Sequence, residues 1–309
     1  YLYTCKATVS DAKTLDTAEV TFGIRTLDFD AKGFRLNDKP IKLRGGTVYA
    51  DNGLLGAASF PTAEKRKFGA LKEAGYNTVR VTQPTEAVLD ALDDTGLLAV
   101  VDLLEVWRQP KHPLDRHRYF EKDALDAVTS QVRAMKSRAC VLAYSLGSDL
   151  PESYGRGDGA ALADKLIAAV KAVDPDRPIL CELGELRPTQ AEAAAAGAKS
   201  ELSPEALLSF GREKDLFRKL TENFADKFDL VGYNNLSHRY PVDKLVSHRV
   251  ILGTGSSPKR AFEACDDAEK NGVIGELSAC AIDYLGAPKS VRENDLLPQR
   301  STDHGDVDI

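Results

Sequence analysis

Residues 144–152 read Y-S-L-G-S-D-L-P-E, an apolar run that ends on Ser148 and Asp149. Glu182 and Glu185 flank the end of a second apolar run, Glu105 follows a third, and Glu276 lies within a fourth. Carboxyl groups delivered by neighbouring chain segments can divide acid/base work between them. At a separation of about 5–5.5 Å one protonates a leaving oxygen while the other attacks, and a wider gap admits a water. Asp149 with Glu182 or Glu185 would suit the wider arrangement. The alternative for Asp149 is a carboxylate capping a helix or loop, and for the glutamates a solvated or salt-bridged place on a rim.

Other chemistries find little support. The five histidines (His112, His117, His238, His248, His304) form no H-E-x-x-H and no cluster at ligand spacing. His117 reads either as the border of a pocket or as a hydrogen-bonded loop residue. The five cysteines are scattered, odd in number and without C-x-x-C, which argues against a disulfide framework or a zinc site. No phosphate loop, Ser-His-Asp order or strand-borne Schiff-base lysine stands out, so no cofactor and no metal are expected. A formal charge of −6 disfavours nucleic acid. No apolar run approaches the roughly 20 residues of a membrane helix, so no membrane insertion is expected.

The elements that would position these carboxylates follow a regular pattern. Over 309 residues, 43% apolar and 28% charged, short apolar strands alternate with amphipathic helical stretches from Leu43 onward. Strands are expected at 43–48, 78–82, 99–104, 141–146, 179–183, 230–234, 250–254 and 273–281. Helices are expected at 62–74, 121–135, 159–173 and 206–224. Eight strands with intervening helices spell a (β/α)8 TIM barrel, an α/β fold. No G-x-G-x-x-G follows a strand, which disfavours a dinucleotide-binding sheet. Ahead of the barrel, 1–9 and 17–24 read as the last hairpin of a β-sandwich of immunoglobulin-like type, and a second hairpin turns at Asn37-Asp38-Lys39-Pro40. The expected division is 1–40 for the sandwich remnant and connecting hairpin and 41–309 for the barrel. Its final helix is missing, as in a fragment of a longer protein. Residues 190–197, Q-A-E-A-A-A-A-G, read as a surface helix or loop.

Several motifs, in order and at matching spacing, resemble glycoside hydrolase family 2, the β-galactosidase and β-glucuronidase family. Phe22-Gly23-Ile24-Arg25-Thr26 is similar to the F-G-[FI]-R-T that ends the family's sandwich domain. Gly33-Phe34-Arg35-Leu36-Asn37 with Leu43-Arg44-Gly45-Gly46 is similar to its G-F-x-L-N-G-K-P-x-x-L-R-G. Leu71 to Arg80, Val231-Gly232-Tyr233-Asn234, Gly253-Thr254, Asp283-Tyr284-Leu285-Gly286 and Gly305-Asp306-Val307-Asp308-Ile309 continue the match.

The resemblance implies a TIM barrel that acts on sugars, with the acid/base at Asp149 and the nucleophile at Gly255. It also implies sugar contacts from Asp51, Arg80, Asp102, Ser148, Tyr233 and Asn234. The family's S-[IL]-G-N-E-[IL]-P-E appears here with Ser148-Asp149, and its V-G-T-E-S appears as Leu252-Gly253-Thr254-Gly255-Ser256. Asp149 has a shorter arm, and glycine cannot form a covalent glycosyl intermediate. Tyr49 and Ala50, ahead of the retained Asp51, and Gln83, Leu103 and Ala279 replace further family residues that face the sugar. A single Trp and 7% aromatic residues are low for sugar stacking. The expectation is a family 2-like barrel that is catalytically inactive or impaired, with a carbohydrate-binding or structural role, a glycoside ligand, and scope for a homo-oligomer or larger assembly. The alternatives are an active β-glycosidase hydrolysing O-glycosidic bonds with relocated carboxylates, and a scaffold stripped for another reaction.

Overall fold

The computed structural model describes residues 1–11, 15–30, 33–112, 114–155, 157–185, 216–245 and 249–282. The alanine-rich run at 190–197, His248, His304 and the motifs at 283–286 and 305–309 lie outside the described residues, as does the first part of the helix expected at 206–224.

Strands β1 (Tyr3–Ser10) and β2 (Leu15–Phe22) pair antiparallel in register from Tyr3↔Phe22 to Ser10↔Leu15. Every residue of β1 is exposed. Strands β3 (Leu27–Asp30), β4 (Gly33–Leu36) and β5 (Lys39–Ile41) make a small antiparallel sheet. Asn37 and Asp38, both at positive φ, form its second turn, as residues of that type do in left-handed turn positions.

The barrel strands are β6 (Leu43–Val48), β7 (Thr78–Thr82), β8 (Leu98–Asp102), β9 (Val141–Ser148), β10 (Ile179–Leu183), β11 (Leu230–Asn234), β12 (Ile251–Ser256) and β13 (Gly275–Ser278). All their pairings are parallel, and β13 closes on β6. Between them run α1 (Pro61–Glu73), α2 (Glu86–Thr95), α3 (Phe120–Met135), α4 (Gly159–Lys171), α5 (Leu216–Ala225), α6 (Tyr240–Asp243) and α7 (Ala261–Lys270). The fold is the expected TIM barrel. Strands such as β8, Leu-Ala-Val-Val-Asp, are buried along their whole length, as parallel strands sheathed by helices must be. Pro61 opens α1 at a position that needs no N–H donor. The Thr85 hydroxyl accepts from Val88 N to start α2, and Gly96, at φ 67°, ends it.

Two apolar clusters hold the layers. The larger lies between strands and helices and includes Phe68, Leu92, Trp107, Val128, Leu166 and Tyr233. The smaller fills the barrel from residues that open their strands or stand just before them, Leu43, Leu98, Leu230, Val250 and Ile274, and Phe34 of β4 packs into the same cluster. Because these residues lie at the N-terminal ends of the strands, Phe34 stoppers that end of the barrel. The opposite, C-terminal mouth is left for polar side chains, which is where such barrels carry their sites.

Candidate functional site

Period-two alternation decides what faces the barrel axis. In β7 the residues Val79 and Val81 join the outer core, so Arg80 points inward. In β10 Cys181 and Leu183 point outward and Glu182 inward, and in β8 Asp102 faces the same space. These three meet. Arg80 Nε donates to both Asp102 oxygens at 3.0 and 2.9 Å, and Arg80 Nη1 donates to both Glu182 oxygens at 2.7 Å. Thr82 Oγ1 adds a donor to Asp102 at 3.2 Å. Glu182 is fully buried, and its side chain occupies the space that a Cβ on Gly232 would need, 2.5 Å from Glu182 Cγ. The glycine of the V-G-Y-N motif therefore makes room for this buried carboxylate.

Burial raises the pKa of Asp102 and the Glu182 charge raises it further, while Arg80 works against both. For Arg80 burial disfavours the charge, yet Asp102 and Glu182 outweigh it and hold the guanidinium protonated. One cation between two carboxylates leaves a floor with a formal charge of −1 when all three are ionised.

Above this floor is a cavity of about 340 Å³, within the roughly 300–1,000 Å³ range of small-molecule sites. Thr47 and Tyr49 line it from β6 and the turn after it. Ser148, Asn234 and Gly255 line it from the ends of β9, β11 and β12, and Ala279 follows β13. Glu105, Lys111, His112 and Asp115 come from the loop after β8. Lys111 Nζ donates to the carbonyls of Glu105 (2.8 Å) and Ser148. Burial lowers its pKa, opposed chiefly by the Asp149 carboxylate. Burial also works against the Asp115 charge, but backbone N–H groups of His112, His117 and Lys111 and the His117 ring hold its pKa well below the usual carboxylate range. His117 is the hydrogen-bonded loop residue, with Nδ1 2.5 Å from Asp115 Oδ1, while His112 lines the cavity.

The two positions expected to carry catalysis are placed as follows. The Asp149 backbone is left-handed, at φ 47°. Its carboxylate lies against Gly184, so that a Cβ there would be 2.7 Å from Asp149 Oδ1, and Tyr154 OH stands 3.2 Å from the same oxygen. Asp149 is not among the residues around the cavity. Gly255 is, at φ 70°. A Cβ on Gly255 would collide with Asn234 Oδ1 and lie 2.8 Å from Asn234 Cγ. The Asn234 carboxamide occupies the place of a side chain at 255.

Of the expected sugar contacts, Arg80, Asp102, Ser148 and Asn234 are brought together at the mouth. Asp51 sits beyond β6, where its Oδ1 accepts from Gly53 N at 2.7 Å. Tyr233 points outward, its hydroxyl donating to Asp243 Oδ2 at 2.9 Å and receiving Arg249 Nη1 at 3.3 Å. Glu276 also faces outward: Tyr240 OH donates to its Oε2 at 2.6 Å, and burial pushes its pKa up to about 7. The single tryptophan is fully buried, its Nε1 donating to Leu146 O at 2.5 Å, so among the described residues Tyr49 is the phenolic or indole ring that lines the cavity. The rim is backbone-strained. Gln83, Asp149 and Asn235, at φ 43°, 47° and 56°, follow the ends of β7, β9 and β11, the kind of stored strain that collects at functional sites.

No protein-family model matches the chain. Among curated proteins it is 28% identical over 223 residues to a β-galactosidase of Bacteroides ovatus, covering 60% of this chain and 26% of that one. It is 24% identical over 277 residues to a putative β-glucuronidase of Formosa agariphila, covering 84% of this chain and 25% of that one. The chain thus spans about a quarter of the length of these relatives. Among solved structures, a glycosyl hydrolase family 2 member from Bacteroides cellulosilyticus superposes with a TM-score of 0.76 at 27% identity, covering 93% of this chain and 34% of that one. Together these neighbours point to a glycoside hydrolase family 2 barrel.

Proposed function

We propose that this family 2-like barrel binds a glycoside at its C-terminal mouth and is inactive or strongly impaired in hydrolysing it. The observation that carries the reading is the Asn234 carboxamide in the space a side chain at Gly255 would need. Loss of the attacking group is accompanied by loss of the room for it. The position of Asp149, shortened and packed on Gly184 beside Tyr154, supports the same conclusion for proton transfer. The rival arrangement, with Glu182 as half of a relocated acid/base pair, would require Glu182 to leave the forked pairing with Arg80. Removing one partner from such a buried pair costs about 3–5 kcal/mol. A carbohydrate-binding role fits the cavity's size and its polar wall of Tyr49, Lys111, His112, Ser148 and Asn234.

The relatives' names suggest the first ligands to try. Methyl β-D-galactoside and methyl β-D-glucuronide, titrated by NMR, are expected to bind, and 4-nitrophenyl glycosides of both sugars are expected to show no turnover. Turnover abolished by Asp149→Ala would overturn the reading. Restoring hydrolysis would require shortening Asn234 as well as Gly255→Glu and Asp149→Glu.

A further inference from the structure

Lys111 stands on the wall of the mouth cavity in a setting unlike that of a surface lysine. A charged lysine offers three N–H donors, and at Lys111 two of them go to the carbonyls of Glu105, at 2.8 Å, and Ser148. Among the described residues no third acceptor meets Nζ. As a free amine it would keep two N–H bonds for those carbonyls and hold one lone pair, on a side chain that lines the cavity. The residue is half-buried, and burial disfavours its charge, opposed by Asp149 and more weakly by Cys181, Glu105 and Glu182. The loop that carries it is fixed at two points. Asp115 Oδ2 accepts from Lys111 N and from His112 N, each at 2.8 Å, and the buried Glu152 accepts from Gln109 N at 2.7 Å. His112 and Glu105, both able to carry protons, line the same cavity. An amine whose charge is disfavoured, held on a fixed loop beside a cavity, is placed to attack a carbonyl group.

We infer that Lys111 captures the aldehyde of an open-chain aldose in the mouth cavity as a reversible imine. The inference rests on the reading that this cavity takes a sugar, and adds a class of ligand, a reducing sugar whose aldehyde carbon is free. The Nζ lone pair adds to that carbon, the π pair of the C=O bond moves to oxygen, and the oxygen takes up a proton to give a carbinolamine. The nitrogen releases a proton, the C–N double bond forms, and the protonated hydroxyl leaves as water. Amine and aldehyde thus give imine and water, with nothing oxidised or reduced. His112 and Glu105 supply and receive the protons, as positioned acids and bases do. Thr47, Thr82, Ser148 and Asn234 on the same wall offer partners to the hydroxyls of the chain. With no side chain at Gly255, the cavity has lost a carboxylate nucleophile and retains an amine.

The test incubates the full chain with D-glyceraldehyde and sodium cyanoborohydride, which reduces an imine to a stable secondary amine, and follows labelling at each lysine by peptide mass spectrometry. Lys6 and Lys65, with side chains 61% and 68% exposed, serve as internal references. An amine held beside a bound aldehyde reacts faster than a free one, so Lys111 should be labelled about tenfold or more faster than either reference. Methyl β-D-galactoside or methyl β-D-glucuronide, whose anomeric carbon is locked and forms no imine, should slow labelling at Lys111 and leave Lys6 and Lys65 unchanged. Lys111→Arg, which keeps the charge and donors for both carbonyls, should remove the fast label, although the parent chain alone decides the matter. If Lys111 is labelled no faster than the references while a methyl glycoside binds by NMR titration, the inference fails and the sugar site stands. If propanal, with three carbons and no hydroxyl, shows the same preference for Lys111, the aldose class is refuted. If neither methyl glycoside binds or slows the label, the sugar reading fails and the inference goes with it.

Discussion

Replacing Gly255 by alanine probes the end of β12 with two separable costs. The backbone there has φ 70°, a conformation that costs an L-residue about 1–2 kcal/mol. The new Cβ would also be driven into the Asn234 carboxamide, 2.8 Å from its Cγ, and relieving overlap in a packed site costs roughly 1–3 kcal/mol. Gly255→Ala should therefore destabilise the chain by about 2–5 kcal/mol. Asn234→Ala removes the obstacle, so the double variant retains only the backbone part. Urea unfolding of the parent, both single variants and the double variant gives the coupling directly, and about 1–3 kcal/mol is expected in favour of the pair. Additivity within about 0.5 kcal/mol would refute the claim that Asn234 fills the space of the missing side chain. A loss below about 1 kcal/mol for Gly255→Ala alone would refute the backbone argument as well.

Arg80→Met should cost about 3–5 kcal/mol in urea unfolding at pH 7, because Asp102 and Glu182 are left buried without their cation. The loss should shrink at pH 5 as the Asp102 carboxyl, whose pKa burial already raises, takes up a proton, and an equal loss at both pH values would argue against the ionic account. Glu276 has an ordinary pKa of 4.5 in the unfolded chain and about 7 in the folded one. Between those values the folded state holds a proton that the unfolded chain has released. Stability from this group is therefore undiminished below pH 4.5, falls as pH rises to 7, and above that is lower by about 3 kcal/mol. Glu276→Gln should gain on the parent progressively from pH 4.5 to 7 in denaturation midpoints, and a constant difference would exclude Glu276 as the source. Trp107→Phe strands the Leu146 carbonyl and should cost about 1–3 kcal/mol in urea unfolding. It should leave glycoside affinity unchanged, and a loss of binding would place the indole nearer the sugar than its burial implies.

The fold was largely legible in the sequence, and the site less so. Strands β6, β7, β10 and β11 fall at the expected residues, because each is a short β-branched or apolar run between clear helix signals. Strand β9 extends to Ser148, two residues past its apolar stretch, since backbone pairing with β10 continues after the hydrophobic pattern stops. Strand β13 is shorter than 273–281, because the residues after Ser278 turn in to complete the mouth. Helices α2 and α7 escaped notice; each has ten residues and is rich in acidic side chains.

At the site, the family motif drew attention to Tyr233 and Asn234 together. A strand cannot aim two consecutive side chains the same way. Inward Gly232 and Asn234 force Tyr233 outward, and that much could have been read from parity alone. The same parity points Glu182 at Arg80, although their bidentate pairing depends on three strands coming together. Lys111 and Asp115 lie on a loop whose path no periodicity reveals.

The seam between β13 and β6 has a kinetic consequence. Ser278 Oγ donates to Gly45 O across 233 positions of sequence, and Tyr49 OH donates to Ala279 O across 230. Contacts of such range are slow to form, because a long loop must be immobilised before they give any return. Thr47 and Tyr49 stand on one bank of the mouth cavity and Ala279 on the other. The mouth cavity therefore comes into being only when the first and last strands of the circle meet. A ligand lodged there bridges the join, and by mass action it favours the closed ring over any state in which the seam has parted. Sugar binding and the lifetime of the closed barrel would then rise together, with the seam as the hinge between them.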